Sequence, residues 1–200
     1  MKIFLIRHGE KQKSNSVEHL IHKKLFLTAQ GRKQIKLLAN FLRKEYPQLK
    51  NLKTIYSSPI LRASETSEIL KEILNIKTIK FLKLIEEFDI DKKYYISKEI
   101  YFKFKEKALI NRDFDPLIKN ILDFFHQKFL DHDQNLLIST HGALIRNTIY
   151  YLFPQMRPSS DKILESAIYN GGLTILDYNG KDFKLDKFDF ADYLGDLSTK

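Results

Sequence analysis

Apolar and polar positions along this chain follow two alternating periods. Ile3–Ile6 is an unbroken apolar run of strand length, which predicts a fully buried strand over Lys2–Ile6. Residues 11–24 are polar and irregular and read as a loop. Ile35, Leu38, Ala39 and Leu42 then recur at helical spacing, predicting a helix that Thr28 caps and that runs to Tyr46, with Pro47 beyond it. Lys53–Ser57 predicts a second strand. Ser58-Pro59 reads as an N-cap with proline at the first helical position, opening a helix to about Leu74. Thr78–Ile85 predicts a third strand, and residues 91–109, rich in Lys, Tyr and Phe, a loop with some helix. Asp115-Pro116 repeats the cap-plus-proline device before Ile118, Ile121, Leu122, Phe125 and Phe129. Asn135–Ser139 predicts a strand, Ala143–Leu152 a helix ending near Pro154. Leu173–Tyr178 and Phe183–Phe188 predict two closing strands joined at Asn179-Gly180. Strands alternating with helices predict an α/β three-layer sandwich: a largely parallel central sheet flanked by helices.

Composition narrows the class. A chain of 200 residues that is 43% hydrophobic, with fifteen Phe and ten Tyr, suits a single domain spanning 1–200. There is no cysteine, which excludes disulfides, thiolate chemistry and Cys-ligated zinc. The four-residue N-terminal apolar run is too short for a secretory signal, and no stretch has the length of a membrane span. A cytoplasmic protein without a membrane partner is therefore expected. The net charge of +9 is concentrated: residues 11–53 hold eleven Lys or Arg against Glu18 and Glu45. The favoured reading is a solvated helix face, because no zinc finger, basic zipper or RNA-binding aromatic signature accompanies it. No specific nucleic-acid partner is expected, and nothing in the pattern specifies an oligomeric state.

In parallel sheets, ligands gather where strands end. Arg7 and His8 follow the first predicted strand. Ser57-Ser58 follow the second, with Arg62 about a turn into the next helix. Glu86 and Glu87 follow the third, and Thr140, His141 and Gly142 the fourth. Two arginines offer forked donors that match phosphoryl oxygens. A neutral imidazole can attack phosphorus, and a carboxylic acid can protonate the leaving oxygen and then take a proton from water. No Walker A or GxGxxG sequence is present, and no GxSxG surrounds Ser139. His19 and His22 read as solvated loop residues rather than a metal pair, and His126 and His132 as ordinary helix residues. No metal is called for.

RHGE at 7–10, LTAQG at 27–31, SSPILRASET at 57–66, LIEE at 84–87 and STHG at 139–142 together resemble the histidine phosphatase superfamily, the phosphoglycerate-mutase-like group. The resemblance covers nearly the whole chain. It implies that His8 is the phosphorylated nucleophile and that Arg7, Arg62 and His141 form the phosphate pocket. It makes Glu86 the acid/base, through Leu84-Ile85-Glu86, with Glu87 the alternative if the register shifts by one. It suggests Ser14 or Asn15 as a loop residue touching phosphate, and Asn170 as a late asparagine near the site. The implied activity is metal-independent hydrolysis of phosphomonoesters through phospho-His8, a histidine-type acid phosphatase. No cofactor is needed, and the partner is a small phosphorylated substrate. The alternatives are a phosphoglycerate-type mutase, a phosphohistidine-protein phosphatase, and a non-catalytic phospholigand-binding protein. Two departures stand out. Lys11 follows RHGE where many members have Thr. The stretch EEFDIDKKYYISKEIYFKFKEK lacks the Gly and Trp common after the acid, so substrate identity is not carried over. A lid is expected within 88–112, where Tyr94, Tyr95, Tyr101 and nearby lysines could line a pocket.

Overall fold

The computed structural model describes residues 1–13, 25–87, 107–108, 111–131, 135–159 and 167–200. Its six strands are β1 (Lys2–Arg7), β2 (Thr54–Ser57), β3 (Thr78–Phe81), β4 (Asn135–Thr140), β5 (Leu173–Tyr178) and β6 (Phe183–Phe190). Four α-helices are described: α1 (Ala29–Glu45), α2 (Leu61–Leu74), α3 (Asp115–Leu130) and α4 (Gly142–Leu152). Ile3, Phe4, Leu5 and Ile6 are wholly buried, as an unbroken apolar run requires of a strand covered on both faces. The sheet order β3-β2-β4-β1-β5-β6 places β1 inside it. β1 runs parallel to β4, and β2 runs parallel to both β4 and β3; β5 is antiparallel to its neighbours β1 and β6.

Side chains of β1 alternate between two cores. Phe4 and Ile6 meet Ile35, Leu38 and Leu42 of α1 and Leu70 of α2. Ile3 and Leu5 meet Ile118, Ile121 and Phe125 of α3 and Leu144, Ile145 and Ile149 of α4. The expected three-layer sandwich with a largely parallel sheet is what forms. The carboxyl ends of β1, β2 and β4 consequently emerge on one edge.

The α1 cap is as expected: Thr28 Oγ1 accepts from Gly31 N at 2.9 Å. Three local expectations change. Helix α2 starts at Leu61, not at Ser58-Pro59, with Ile60 as its N-cap. Ser58 Oγ instead accepts from Ile60 N at 3.3 Å and meets His141 Nε2 at 2.9 Å, so a tertiary contact competes with capping. Strand β3 ends at Phe81, because its ladder runs out opposite Ser57, the last residue of β2. Leu82 N donates to Ser57 O, and the chain turns through a 3₁₀ segment, Lys83–Ile85. Asp115 lies within the first turn of α3 rather than capping it; Phe114 takes the N-cap position. Asn179 closes the β5–β6 turn by accepting from Lys181 N and Asp182 N, with Gly180 at φ 98°. Most of the expected lid segment falls outside the described residues. No described helix is long and apolar enough to cross a membrane.

Candidate active site

The three parallel strand ends are bound together before any side chain reaches the site. His8 N donates to Thr140 O and Ser58 N to Ser139 O. Gly9 packs against the first turn of α1 so closely that a Cβ on it would sit 2.5 Å from Gly31 O, and a Cβ on Gly31 would overlap Glu10 O. The glycines of RHGE and LTAQG are thus one contact. Gly142 has a related role: a Cβ there would crowd Arg7 Cδ and Nε at 3.2 Å.

On this frame His8 and Arg62 meet. His8 Nδ1 lies 2.7 Å from Gly9 O, and Arg62 Nε lies 3.0 Å from His8 Nε2. A carbonyl only accepts and a guanidinium N–H only donates, so Nδ1 carries the proton and Nε2 the lone pair. His8 is buried and its basicity is pushed well below the usual histidine range, by desolvation first and then by the charges of Arg62, His141 and Arg7. The imidazole is therefore neutral at physiological pH. Arg62 is 3% exposed and its Nη2 pairs with Glu87 Oε2. His141, 1% exposed, faces the His8 ring edge-on at 5.3 Å between centroids, and its Nδ1 is 3.9 Å from Glu87 Oε2.

A cavity of about 130 Å³ opens beside these groups. Arg7, Lys11 and Arg146 line it with His8 and a single acid, Glu87; Gly142, Ala143, Ala167 and Ile168 form its small, mostly apolar remainder. Burial draws the Arg7 guanidinium down to about 10 against the opposing pull of Glu87 and Asp189, leaving it protonated at neutral pH. Its Nε is buried and finds no hydrogen-bond partner among the described residues. A buried donor of this kind is suited to an anion in the cavity.

The fold thus brings Arg7, His8, Arg62 and His141 together at one strand edge. The carboxylate seen beside them is Glu87, the alternative, which pairs with Arg62 and lies near His141. Ile85 is wholly buried and Leu84 only partly, which leaves Glu87, two residues beyond the buried side chain, in reach of Arg62. Thr140 Oγ1 fixes this register by donating to Ile85 O at 2.6 Å. The side chain of Asn170 is turned to Thr199 Oγ1 at 2.9 Å, and it does not line the cavity. Ser14, Asn15, His19, His22, Tyr94, Tyr95, Tyr101 and His132 lie outside the described residues. Sequence reasoning missed Arg146, whose only signal is its place five residues after His141, on the α4 face that follows Gly142.

Asp189 adds a titratable group behind Arg7. It takes a left-handed backbone conformation, φ 50°, and its Oδ1 accepts from Tyr169 N at 2.7 Å. Burial pushes its carboxyl up to about 6, against the Tyr169 amide, Lys200 and Arg7. The folded state therefore holds this proton more tightly than the unfolded chain, and stability falls as pH rises through roughly 4 to 6. Asp189→Asn, which keeps the acceptor oxygen and tolerates the left-handed conformation, is expected to raise Tm by about 2–4 °C at pH 7.5. It should give no gain at pH 4; thermal melts at the two pH values check this.

The fold and its side chains define an α/β protein with a buried arginine–histidine cluster at the carboxyl edge of its sheet. The chain belongs to the histidine phosphatase superfamily (branch 1), whose profile it matches over residues 3–190. It is similar to solved structures of the phosphoserine phosphatase of Entamoeba histolytica. The form bound to phosphoserine, a mutant with one histidine replaced by alanine, is 21% identical, covers 96% of this chain and 98% of its own, and has a TM-score of 0.66. The form bound to 3-phosphoglyceric acid is 18% identical with the same coverage and TM-score. The protein histidine phosphatase SixA, solved with tungstate, is 16% identical over 94% of this chain and 95% of its own, with a TM-score of 0.64. Comparison with curated proteins returned no match.

Proposed function

We propose that this protein is a metal-independent phosphatase that hydrolyses small phosphomonoesters through a phosphohistidine on His8. The observation that carries this reading is the His8 tautomer: Gly9 O holds the Nδ1 proton, leaving a neutral Nε2 lone pair among Arg62, Arg7 and His141. His8 Nε2 attacks phosphorus and the bond to the leaving oxygen breaks, while the Glu87 carboxylic acid protonates that oxygen. Glu87, now a carboxylate, takes a proton from water as the water attacks phosphorus. The P–N bond breaks and its electron pair returns to Nε2. Arg7, Arg62 and a ring N–H of His141 stabilise the charge on the equatorial oxygens in both steps. In the free site Arg62 binds both His8 Nε2 and Glu87. A phosphoryl dianion competes for that guanidinium, which frees the lone pair and raises the affinity of Glu87 for a proton.

The test is a quench of the protein during turnover of a radiolabelled aryl phosphate, p-nitrophenyl phosphate. An acid-labile, alkali-stable phosphoryl group on His8 is expected. Turnover with no phosphoprotein, or with the label on a hydroxyl side chain, would overturn the reading.

The cavity also bears on the substrate. Arg7 and Arg62 suffice for one phosphoryl group, whereas Lys11 and Arg146 add cations to the same space. This supports a substrate with a second anionic group, and similar proteins were solved with phosphoserine and 3-phosphoglyceric acid, which both carry a carboxylate. Arg146→Ala is expected to raise KM for phosphoserine or 3-phosphoglycerate about tenfold, the scale of one lost charge-assisted hydrogen bond. KM for p-nitrophenyl phosphate, which lacks the second anion, should change less than about twofold. Steady-state kinetics on the three compounds decide it.

A further inference from the structure

We propose that Thr199 is a positioning residue that holds the His8–Gly9–Glu10 turn in its attacking geometry through two buried amides, Gln34 and Asn170. This rests on the reading of His8 as the nucleophile. Thr199 Oγ1 accepts from Gln34 Nε2 and from Asn170 Nδ2, both at 2.9 Å, and Thr199 O accepts from Asn170 N at 2.7 Å. From these two residues one bond leads to each side of the turn. Gln34 Oε1 accepts from Glu10 N at 2.8 Å. Gly171 N, next to Asn170, donates to His8 O at 3.0 Å. The Gly9 carbonyl between those bonds is the acceptor that orients the imidazole. Thus the peptide geometry that aims Nε2 is fixed from α1 on one side and from the Asn170–Gly171 turn on the other, and Thr199 joins the two.

Burial gives the arrangement its stiffness. Gln34 is 0% exposed and Asn170 5%, so a lost acceptor leaves a buried amide donor that must move to find another. Gln34 Nε2 keeps a second acceptor, Leu197 O at 2.7 Å. Losing the hydroxyl therefore loosens the clasp rather than opening it. Tyr193 OH donates to Gly171 O and its ring stacks on Phe41 of α1, which anchors the same segment independently of Thr199. The side chain of Asn170 accordingly contributes to aiming the nucleophile, not to binding substrate.

The experiment compares wild type with Thr199→Val, Thr199→Ala and Thr199→Ser in the full chain. Amide hydrogen exchange by NMR reads the turn directly, whether or not the chain turns over a substrate. Thr199→Val should speed exchange at Glu10 N and Gly171 N about tenfold while leaving Leu5 N in β1 unchanged. With p-nitrophenyl phosphate as probe, its kcat should fall about tenfold, as for a slightly misaimed nucleophile. KM and inhibition by orthovanadate should stay within about twofold, because Arg7 and Arg62 are untouched. Thr199→Ser, which keeps the oxygen, should restore exchange and kcat; Thr199→Ala reads the same loss if the valine variant does not fold. Exchange and kcat of wild-type size in both hydroxyl-free variants would overturn the proposal. So would losses that the serine variant shares, or a fall in vanadate binding equal to the fall in kcat. Faster exchange at Glu10 and Gly171 in a protein that forms no phosphohistidine would support the clasp while refuting the nucleophile.

Discussion

His8→Ala is expected to abolish both the trapped phosphoenzyme and turnover, with kcat for p-nitrophenyl phosphate falling by at least about ten-thousandfold. The size of the effect follows from the lack of a substitute. The other site histidine, His141, is held by Ser58 Oγ through its Nε2, and its Nδ1, 3.9 Å from Glu87 Oε2, is read as an N–H donor to the phosphoryl group rather than as an attacking lone pair. The proposed anion site is expected to outlive the substitution, since Arg7, Arg62 and His141 remain. Orthovanadate or inorganic phosphate should still bind to His8→Ala in a calorimetric titration. Retained hydrolysis at the wild-type rate would remove His8 from the mechanism. Loss of activity together with loss of phosphate binding would indicate a collapsed site instead of a missing nucleophile, and thermal melts would report the collapse.

Glu87→Gln is expected to lower kcat for a substrate with an alkoxide leaving group, such as phosphoserine, by about a hundred- to ten-thousandfold. The loss should be smaller for p-nitrophenyl phosphate, whose leaving oxygen is stable without a proton. Glu86→Gln should leave both reactions near wild type. The contrast between neighbouring carboxylates is the informative part, because net charge changes equally in the two variants. Glu87 contacts Arg62 and stands 3.9 Å from His141. A large loss in Glu86→Gln with a normal Glu87→Gln would reverse the assignment. If neither carboxylate mattered, the leaving group would need no proton from the protein, which favours phosphohistidine on another protein as the substrate.

The order and type of the secondary elements were legible in the sequence for a simple reason. Each long element carries one clear period, and the apolar runs Ile3–Ile6 and Leu136–Ile138 fit only strands covered on both faces. Legibility failed at the ends of elements, where local and tertiary bonds compete. Ser58 has the side chain and the following proline of a helix cap, yet its hydroxyl is drawn to His141. Thr78–Ile85 is apolar enough for one strand, yet β2 has no residue to pair with it beyond Ser57.

The same division holds at the site. Sequence alone predicted that Arg7, His8, Arg62 and His141 would meet, because Arg7, His8 and His141 stand where strands end, Arg62 opens the helix after another, and parallel strands deliver their carboxyl ends to a common edge. Only the tertiary structure placed Glu87 beside Arg62 and His141, since Leu84 and Ile85 are equally apolar and the sequence does not say which of them is buried. Only the tertiary structure brought Arg146 to the cavity, through the face that α4 turns toward Arg7, and assigned Asn170 to Thr199, 29 residues away. Strand order is written in local periodicity, but a one-residue register and a long-range hydrogen bond exist only once packing has selected which side chains are buried.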